Sequence, residues 1–234
     1  MAGLLRYLTS LAHALNSDSM RFIMETIHCV SNYRVPHGKP WNKGKLSGSK
    51  PPLLPKHVWA IRTRLHMLGK RRDLGLFNLA IDSKLRGCDL VRLRITDVAP
   101  RGYAVDRASI RQRKTCQPVK FEITEQTKLA IDAHLAGLPS IGDRFLFPGK
   151  TEGSHISTRQ YARLLNNWLF LIGLDPSIFG THSLRRTKAT LIYRKTGNLR
   201  AVQQLLGHTK IESTVRYLGI EVDDALEIAE KIDV

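Results

Sequence analysis

The sequence predicts a mainly α protein with a small antiparallel β-sheet, an α+β fold. Three observations carry this expectation. Apolar residues recur at helical spacing through most of the chain after about residue 55. The later helical runs each stop close to a glycine, the residue that best ends a helix. One stretch, Ser109 to Ile123, shifts towards a period of two, with Ile110, Val119, Phe121 and Ile123 around the polar turn Lys114-Thr115-Cys116-Gln117, which reads as a β-hairpin. With 234 residues, 42% of them hydrophobic and 24% charged, the chain has ordinary globular content.

Taken in order, residues 1–31 contain two amphipathic runs, Leu4 to Leu15 and Met20 to Val30, predicted as a short helical appendage. Residues 32–54 form a basic linker arm in which Pro36, Pro40, Pro51 and Pro52 alternate with Gly38, Gly44 and Gly48, too dense for helix or central strand. Its Lys43 and Lys45 are candidates for lying along nucleic-acid phosphates. From residue 55 to 220 the chain is regular. Val58, Ile61, Leu65 and Leu68 define a helix ended by Gly69, and Asp73 is placed to cap a second with Leu74, Phe77, Ile81 and Leu85 on its apolar face. Arg86-Gly87-Cys88-Asp89-Leu90 opens a short helix carrying Leu93, and the hairpin follows. Helical periodicity returns at about 125–136, 158–172, 183–196 and 199–206, followed by Gly137, Gly173, Gly197 and Gly207. Residues 221–234 are an acidic tail with an apolar stripe, Val222, Leu226, Ala229 and Ile232, suited to packing as a helix.

The charge balance narrows the function. Lys and Arg number 37 against 20 Asp and Glu, a net of +17, which concentrates polyanions around the protein. Nucleic acid is the first partner this charge suggests and an anionic membrane surface the second. No apolar run approaches the roughly 20 residues a membrane span needs, and Met1 to Ser17, interrupted by Arg6 and His13, is a poor secretory signal, so a cytoplasmic, soluble protein is expected. Cys29, Cys88 and Cys116 are odd in number and far apart, which argues for reduced thiols and against a zinc site. A nucleotide-binding phosphate loop is excluded, because Gly38 and Gly44 enclose five residues and Lys45 precedes Leu46 where Ser or Thr should hold magnesium. No cofactor and no metal are expected.

The chemistry-bearing residues cluster late in the chain. His182 and Arg185 stand at i and i+3, one face of a helix starting near Ser183, where unpaired N–H groups and a guanidinium would meet a phosphate together. Leu205-Leu206-Gly207-His208 follows, then Thr214-Val215-Arg216-Tyr217-Leu218. Taken singly, His208 could cap carbonyls and Tyr217 could be a core aromatic. In this order and at these intervals, with Thr181-His182-Ser183-Leu184-Arg185-Arg186-Thr187, they closely resemble the tyrosine recombinase family, the phage integrases and their relatives. That family also has an arginine beginning a helix, then an acid three residues on and a leucine; Arg86-Gly87-Cys88-Asp89-Leu90 is similar, with Asp89 where Glu is more usual. Its catalytic lysine lies in a hairpin turn, and Lys114 resembles it more than Lys120, which sits inside a strand.

The resemblance covers about residues 52–220 and implies the family's catalytic domain, a DNA breaking-rejoining fold. It implies a site-specific recombinase in which Tyr217 attacks a phosphodiester to give a 3′-phosphotyrosine and a free 5′ hydroxyl. His182 would accept the phenolic proton, since tyrosine at a pKa of about 10 is a weak nucleophile. Arg86 and Arg185 would bind the nonbridging oxygens, His208 would hydrogen-bond the same phosphate, and Lys114 would protonate the departing oxygen. Arg159 and Arg163, on the helix after Ser157, are candidates for groove contacts. The short stretch ahead of this domain suggests either a short form without a full core-binding domain or a member truncated at its start. The resemblance also implies double-stranded DNA as the partner and a homo-oligomer, a tetramer on paired DNA sites, with the acidic tail docked on a neighbouring protomer or packed on its own domain. Two alternatives share these features: a noncatalytic DNA-binding regulator, in which decay should have removed some of the six residues, and a type IB topoisomerase, which shares the chemistry without exchanging strands.

Overall fold

The computed structural model describes residues 50–138, 144–219 and Glu230. These form two compact units, the segment Gln112–Gln117 and the described residues of Gly48–Arg111 with Pro118–Val234. The expected appendage at 1–31, the arm up to residue 49 with Lys43 and Lys45, and the acidic tail apart from exposed Glu230 lie outside the described residues.

The larger unit runs α1 (Pro55–Met67), α2 (Arg71–Ser83), α3 (Gly87–Leu90), α4 (Ile95–Val98), β1 (Arg107–Arg111), β2 (Pro118–Glu122), α5 (Glu125–Leu135), α6 (Thr158–Phe170), α7 (Thr181–Thr196), α8 (Leu199–Leu206) and α9 (Ile211–Leu218). The mainly α fold with one small antiparallel sheet is the architecture the periodicity predicts. Proline suits the first position of α1, where its missing N–H would have no intrahelical acceptor. Val58, Ile61 and Leu65 are the buried residues of this helix; Leu68 falls just past its end and is exposed, unlike the expectation. Helix α2 is central and buried almost all round from Gly75 to Ser83, so its one-sided apolar face understates its burial. Asp73 does not cap it. Lys70 holds that position, and Asp73 lies one turn inside, buried, accepting a hydrogen bond from Trp168 Nε1 at 3.1 Å. Helix α3 ends at Leu90, before Leu93, though Leu93 is buried in the core.

In the sheet Ala108 pairs with Phe121 and Ile110 with Val119. Val119 and Phe121 are buried while Lys120 between them is exposed, the alternation a pleated strand imposes. The main core is built on Trp168, which meets Phe77 edge-on at 5.6 Å and Tyr161 at 6.5 Å between ring centroids. A second, smaller apolar cluster joins the last three helices through Ala189, Val202, Leu206 and Leu218, with Tyr217 packed against it. Helix α9 closes this cluster; the sequence reading placed Tyr217 in a motif without assigning it a helix.

A charged cluster ties α7 to the end of α2 and to β2. Lys188 Nζ, on α7, lies 2.7 Å from Asp82 Oδ1 and 2.7 Å from Glu122 Oε1. The fully buried Lys84 ammonium donates to Glu122 at 2.8 and 3.0 Å and to the Asp82 carbonyl at 2.5 Å. Asp82 Oδ2 also accepts from the Thr124 N–H and from the hydroxyls of Thr124 and Thr127, supplying the start of α5 with the acceptor a helix N-terminus lacks. Burial opposes the charge on Asp82, but the bonds from Lys188, Thr124 and Thr127 outweigh it and hold its carboxyl below the usual range.

Cys88 is a free thiol, whereas Cys116 is disulfide-bonded, which corrects the expectation of reduced thiols throughout. Among the described residues no helix is long and apolar enough to cross a membrane.

Candidate active site

The site is built where α3, α7, α8 and α9 meet. Helix α7 begins at Thr181, two residues earlier than the periodicity predicts, with Gly180 extended ahead of it and Ser183 Oγ accepting the Gly180 N–H at 3.1 Å. His182 is therefore in the first turn and exposed. Arg185, one turn on, is buried at 2% exposure and donates from Nη2 to the Leu206 carbonyl at 2.7 Å. Leu206 is the last residue of α8, so the guanidinium meets a carbonyl at the negative end of that helix. Burial draws the Arg185 pKa below the ordinary arginine value, opposed first by Tyr217; the group stays cationic.

Arg86 stands at the head of α3, its backbone extended. A Cβ on the next residue, Gly87, would sit 3.4 Å from ring carbons of Tyr161 and 3.9 Å from Thr181 Cβ, so the small residue lets this arginine approach the start of α7. Its charge is felt at Arg185, His208 and Tyr217 alike. Asp89, buried on α3, supports the Arg185 charge.

Gly207 ends α8 in the left-handed conformation, φ 63°, which turns the chain so that His208 comes back over the small cluster. The ring of His208 meets that of Tyr217 edge-on, centroids 5.3 Å apart at 86°, and its Nδ1 lies 3.1 Å from Thr214 Oγ1. Gln203 Nε2 donates to the carbonyls of His208 and Thr209, fixing the turn. Burial, then the charges of Arg185 and Arg86, push the His208 pKa down to about 4, so the imidazole is neutral at physiological pH.

Tyr217 lies among cations. Arg185 Cζ is 5.7 Å and Arg186 Cζ 5.4 Å from its ring centroid. Its hydroxyl is buried and makes no well-formed hydrogen bond, though the Arg185 side chain is close enough to favour its ionised form. Burial pushes its pKa up to about 12 even though Arg185, Arg186 and Arg86 pull the other way. The resting phenol is accordingly protonated, in a pocket with a surplus of positive charge that favours an anion.

The fold thus brings together Arg86, Arg185, His208 and Tyr217 from four separate elements, and puts His182 on the helix of Arg185. Lys114 is exposed in the turn Gln112–Gln117, which belongs to the other compact unit and is closed by Gln112 N–H to Gln117 O at 2.9 Å and Cys116 N–H to Gln112 O at 2.8 Å. Arg159 and Arg163 are exposed, one turn apart on the outer side of α6, away from buried Leu164, Leu165 and Trp168. Arg186 and Thr214 were not legible as site residues. Arg186 follows Arg185 directly, and neighbours on a helix ordinarily diverge, so spacing does not place both on one tyrosine. Thr214 is a motif threonine whose role depends on where the His208 ring turns.

The sequence profile of the phage integrase family matches residues 59–222. The probable integrase/recombinase YoeC of Bacillus subtilis (strain 168) is 30% identical over 159 residues, 68% of this chain and 83% of that protein. Tyrosine recombinase XerC of Rhodospirillum centenum is 32% identical over 162 residues, 68% of this chain and 46% of that protein, so the chain spans about half the length of such a relative. Among solved structures, XerA recombinase aligns with a TM-score of 0.63 at 19% identity, covering 97% of this chain and 80% of that one. XerH bound to its difH substrate in a pre-cleavage complex aligns at 0.62 and 17% identity, covering 97% and 68%.

Proposed function

Because the chain belongs to the phage integrase family, the tyrosine-type site-specific recombinases, we propose that it cleaves and rejoins double-stranded DNA through a 3′-phosphotyrosine at Tyr217. The observation that carries this reading is the convergence of Arg185, Arg186 and His208 on the ring of Tyr217, whose hydroxyl is buried. A lone core tyrosine has no reason to be ringed by cations that no apolar packing requires.

In the reaction the Tyr217 oxygen bonds to phosphorus as the bond to the 5′ oxygen breaks. The phenolic proton passes to His182 and the departing oxygen takes a proton from Lys114. Arg86 and Arg185 bind the nonbridging oxygens, where charge accumulates; a phosphate arriving beside Tyr217 relieves the surplus of positive charge and displaces water. Held at Nδ1 by the Thr214 hydroxyl, neutral His208 donates from Nε2 to the same phosphate in the tautomer that carries the proton there. A pKa of about 12 keeps Tyr217 quiet until a proton acceptor and the phosphate are both in place.

The intermediate keeps the energy of the phosphodiester, and a 5′ hydroxyl of a second duplex attacking it completes an exchange. Arg159 and Arg163 face outward to meet a DNA groove, Lys43 and Lys45 precede the domain on the basic arm, and a tetramer on paired sites exchanges the ends. A nicked suicide substrate tests the chemistry. The wild type should trap a covalent adduct at the 3′ end and Tyr217→Phe should trap none; an undiminished adduct in Tyr217→Phe refutes the assignment. Transfer of ends between two labelled duplexes tests recombination against relaxation of a single duplex.

A further inference from the structure

Arg186 is the cation of this region that the reaction above does not use, and its surroundings are specific. It is 5% exposed. Its Nη1 donates to the Lys50 carbonyl at 2.7 Å, its Nε meets no acceptor, and its Cζ lies 5.4 Å from the Tyr217 ring centroid. Nη2 reaches to 3.5 Å from where a Cβ on Gly219 would stand, so the guanidinium fills the space between the start of the domain and the end of α9. Among the described residues no carboxylate pairs with it. Taking a guanidinium out of water is costly unless its donors are met, and here one carbonyl and an aromatic face are the partners seen among the described residues.

The carbonyl that orients it belongs to a strap. Lys50 donates from Nζ to the Phe179 carbonyl at 2.7 Å, and its methylenes lie 3.2 Å from where a Gly180 Cβ would be. The Leu53 N–H bonds Thr187 Oγ1 at 3.0 Å and its side chain is buried in the main core at 2% exposure. Residues 50–53 thus cross the first turns of α7 and are pinned on both sides of Arg186. In the sequence they follow directly on the basic arm.

We propose that Arg186 is a positioning residue for Tyr217, held by the Lys50 carbonyl so that its guanidinium fixes the phenol ring and stabilises the phenolate as it forms. This rests on Tyr217 being the nucleophile. It differs from the role of Arg185 and Arg86, which bind phosphate. A purely structural tie would need the hydrogen bond and the bulk of Arg186; the proposed role needs its charge beside the phenol.

Two measurements test it. The first needs no DNA: a fluorinated tyrosine, whose phenol titrates in the neutral range, is placed at position 217 and its ionisation followed by absorbance in the otherwise native chain and in Arg186→Met. The Arg186→Met titration should move to higher pH, and Arg186→Lys should restore part of the shift; identical titrations in all three overturn the proposal. The second is single-turnover adduct formation on the nicked substrate at saturating DNA across pH. Arg186→Met should slow the step by about tenfold with DNA affinity unchanged, and carry the rising limb of the pH profile upward. A loss that only follows the folded fraction, with the limb unmoved, also overturns it. Adduct persisting in Tyr217→Phe would instead refute the nucleophile assignment, whatever the Arg186 variants do.

Discussion

The Lys188 ammonium lies 2.7 Å from the Asp82 carboxylate, joining the helix that carries Arg185 to the end of the helix that leads into Arg86. Asp82 is buried and Lys188 keeps 22% of its side chain exposed, so the pair is only partly shielded from water. Breaking such a pair leaves a buried carboxylate without its cation, which costs more than the pair itself contributes. Lys188→Met should destabilise the protein by about 2–3 kcal/mol in urea unfolding. Asp82→Asn with Lys188→Met should cost less than the two single changes summed, and simple additivity would show that the contact carries no coupling.

Lys84 is a conflict between backbone and side chain. Its φ of 54° lies in the left-handed region, where glycine is at ease, yet its buried ammonium holds Glu122 and the Asp82 carbonyl. Glycine would relieve roughly 1 kcal/mol of backbone strain. It would also leave Glu122 with Lys188 alone, take the donor from the Asp82 carbonyl and empty the space of a buried side chain, together a cost of about 3 kcal/mol. Lys84→Gly should therefore be net destabilising by about 2 kcal/mol, read as a lower urea midpoint, and a stabilised variant would invert this balance.

His208 makes stability depend on pH in the mildly acidic range. Its folded pKa of about 4 lies below the ordinary 6.5, so the folded protein refuses a proton that the unfolded chain accepts. The stability tied to the neutral ring is fully present above about pH 6.5 and is lost as pH falls through that value towards 4. Thermal melts between these limits should fall more steeply for the native protein than for His208→Gln. Equal slopes would mean the imidazole is not depressed in the fold.

Thr214 orients the imidazole through its hydroxyl at 3.1 Å from Nδ1 and is itself fully buried. Thr214→Val keeps the shape and removes the hydroxyl that meets Nδ1. Adduct formation should slow by about tenfold at saturating DNA while affinity holds, because the imidazole loses the partner that fixes its orientation and tautomer. Unchanged rates would remove Thr214 from the site.

The helices and hairpin were legible because their signals are local. Gly69, Gly173, Gly197 and Gly207 do close helices in the left-handed conformation, and Val119 and Phe121 do face inward around exposed Lys120. The order of the family motifs likewise marked Arg86, Arg185, His208 and Tyr217, which the fold brings together. Asp73 was misread because its partner, Trp168, stands 95 residues away and outbids the local cap. The four-residue helix at Arg86 was drawn too long because Leu93 is buried by neighbours rather than by a helix face.

The sequence alone determined the order of elements, the family and the residues of its motif, since each depends on spacing along the chain. Only the tertiary structure decided their depth and charge environment. That Arg185 and Arg186 both reach the Tyr217 ring, that burial holds this phenol up to about 12 and that imidazole down to about 4, follows from packing between distant segments. Arg186 meets Lys50 across 136 residues and Lys188 meets Asp82 across 106. Helical periodicity says which face a side chain takes; whether that face meets water, a carboxylate or a phenol is set by the segment that folds against it.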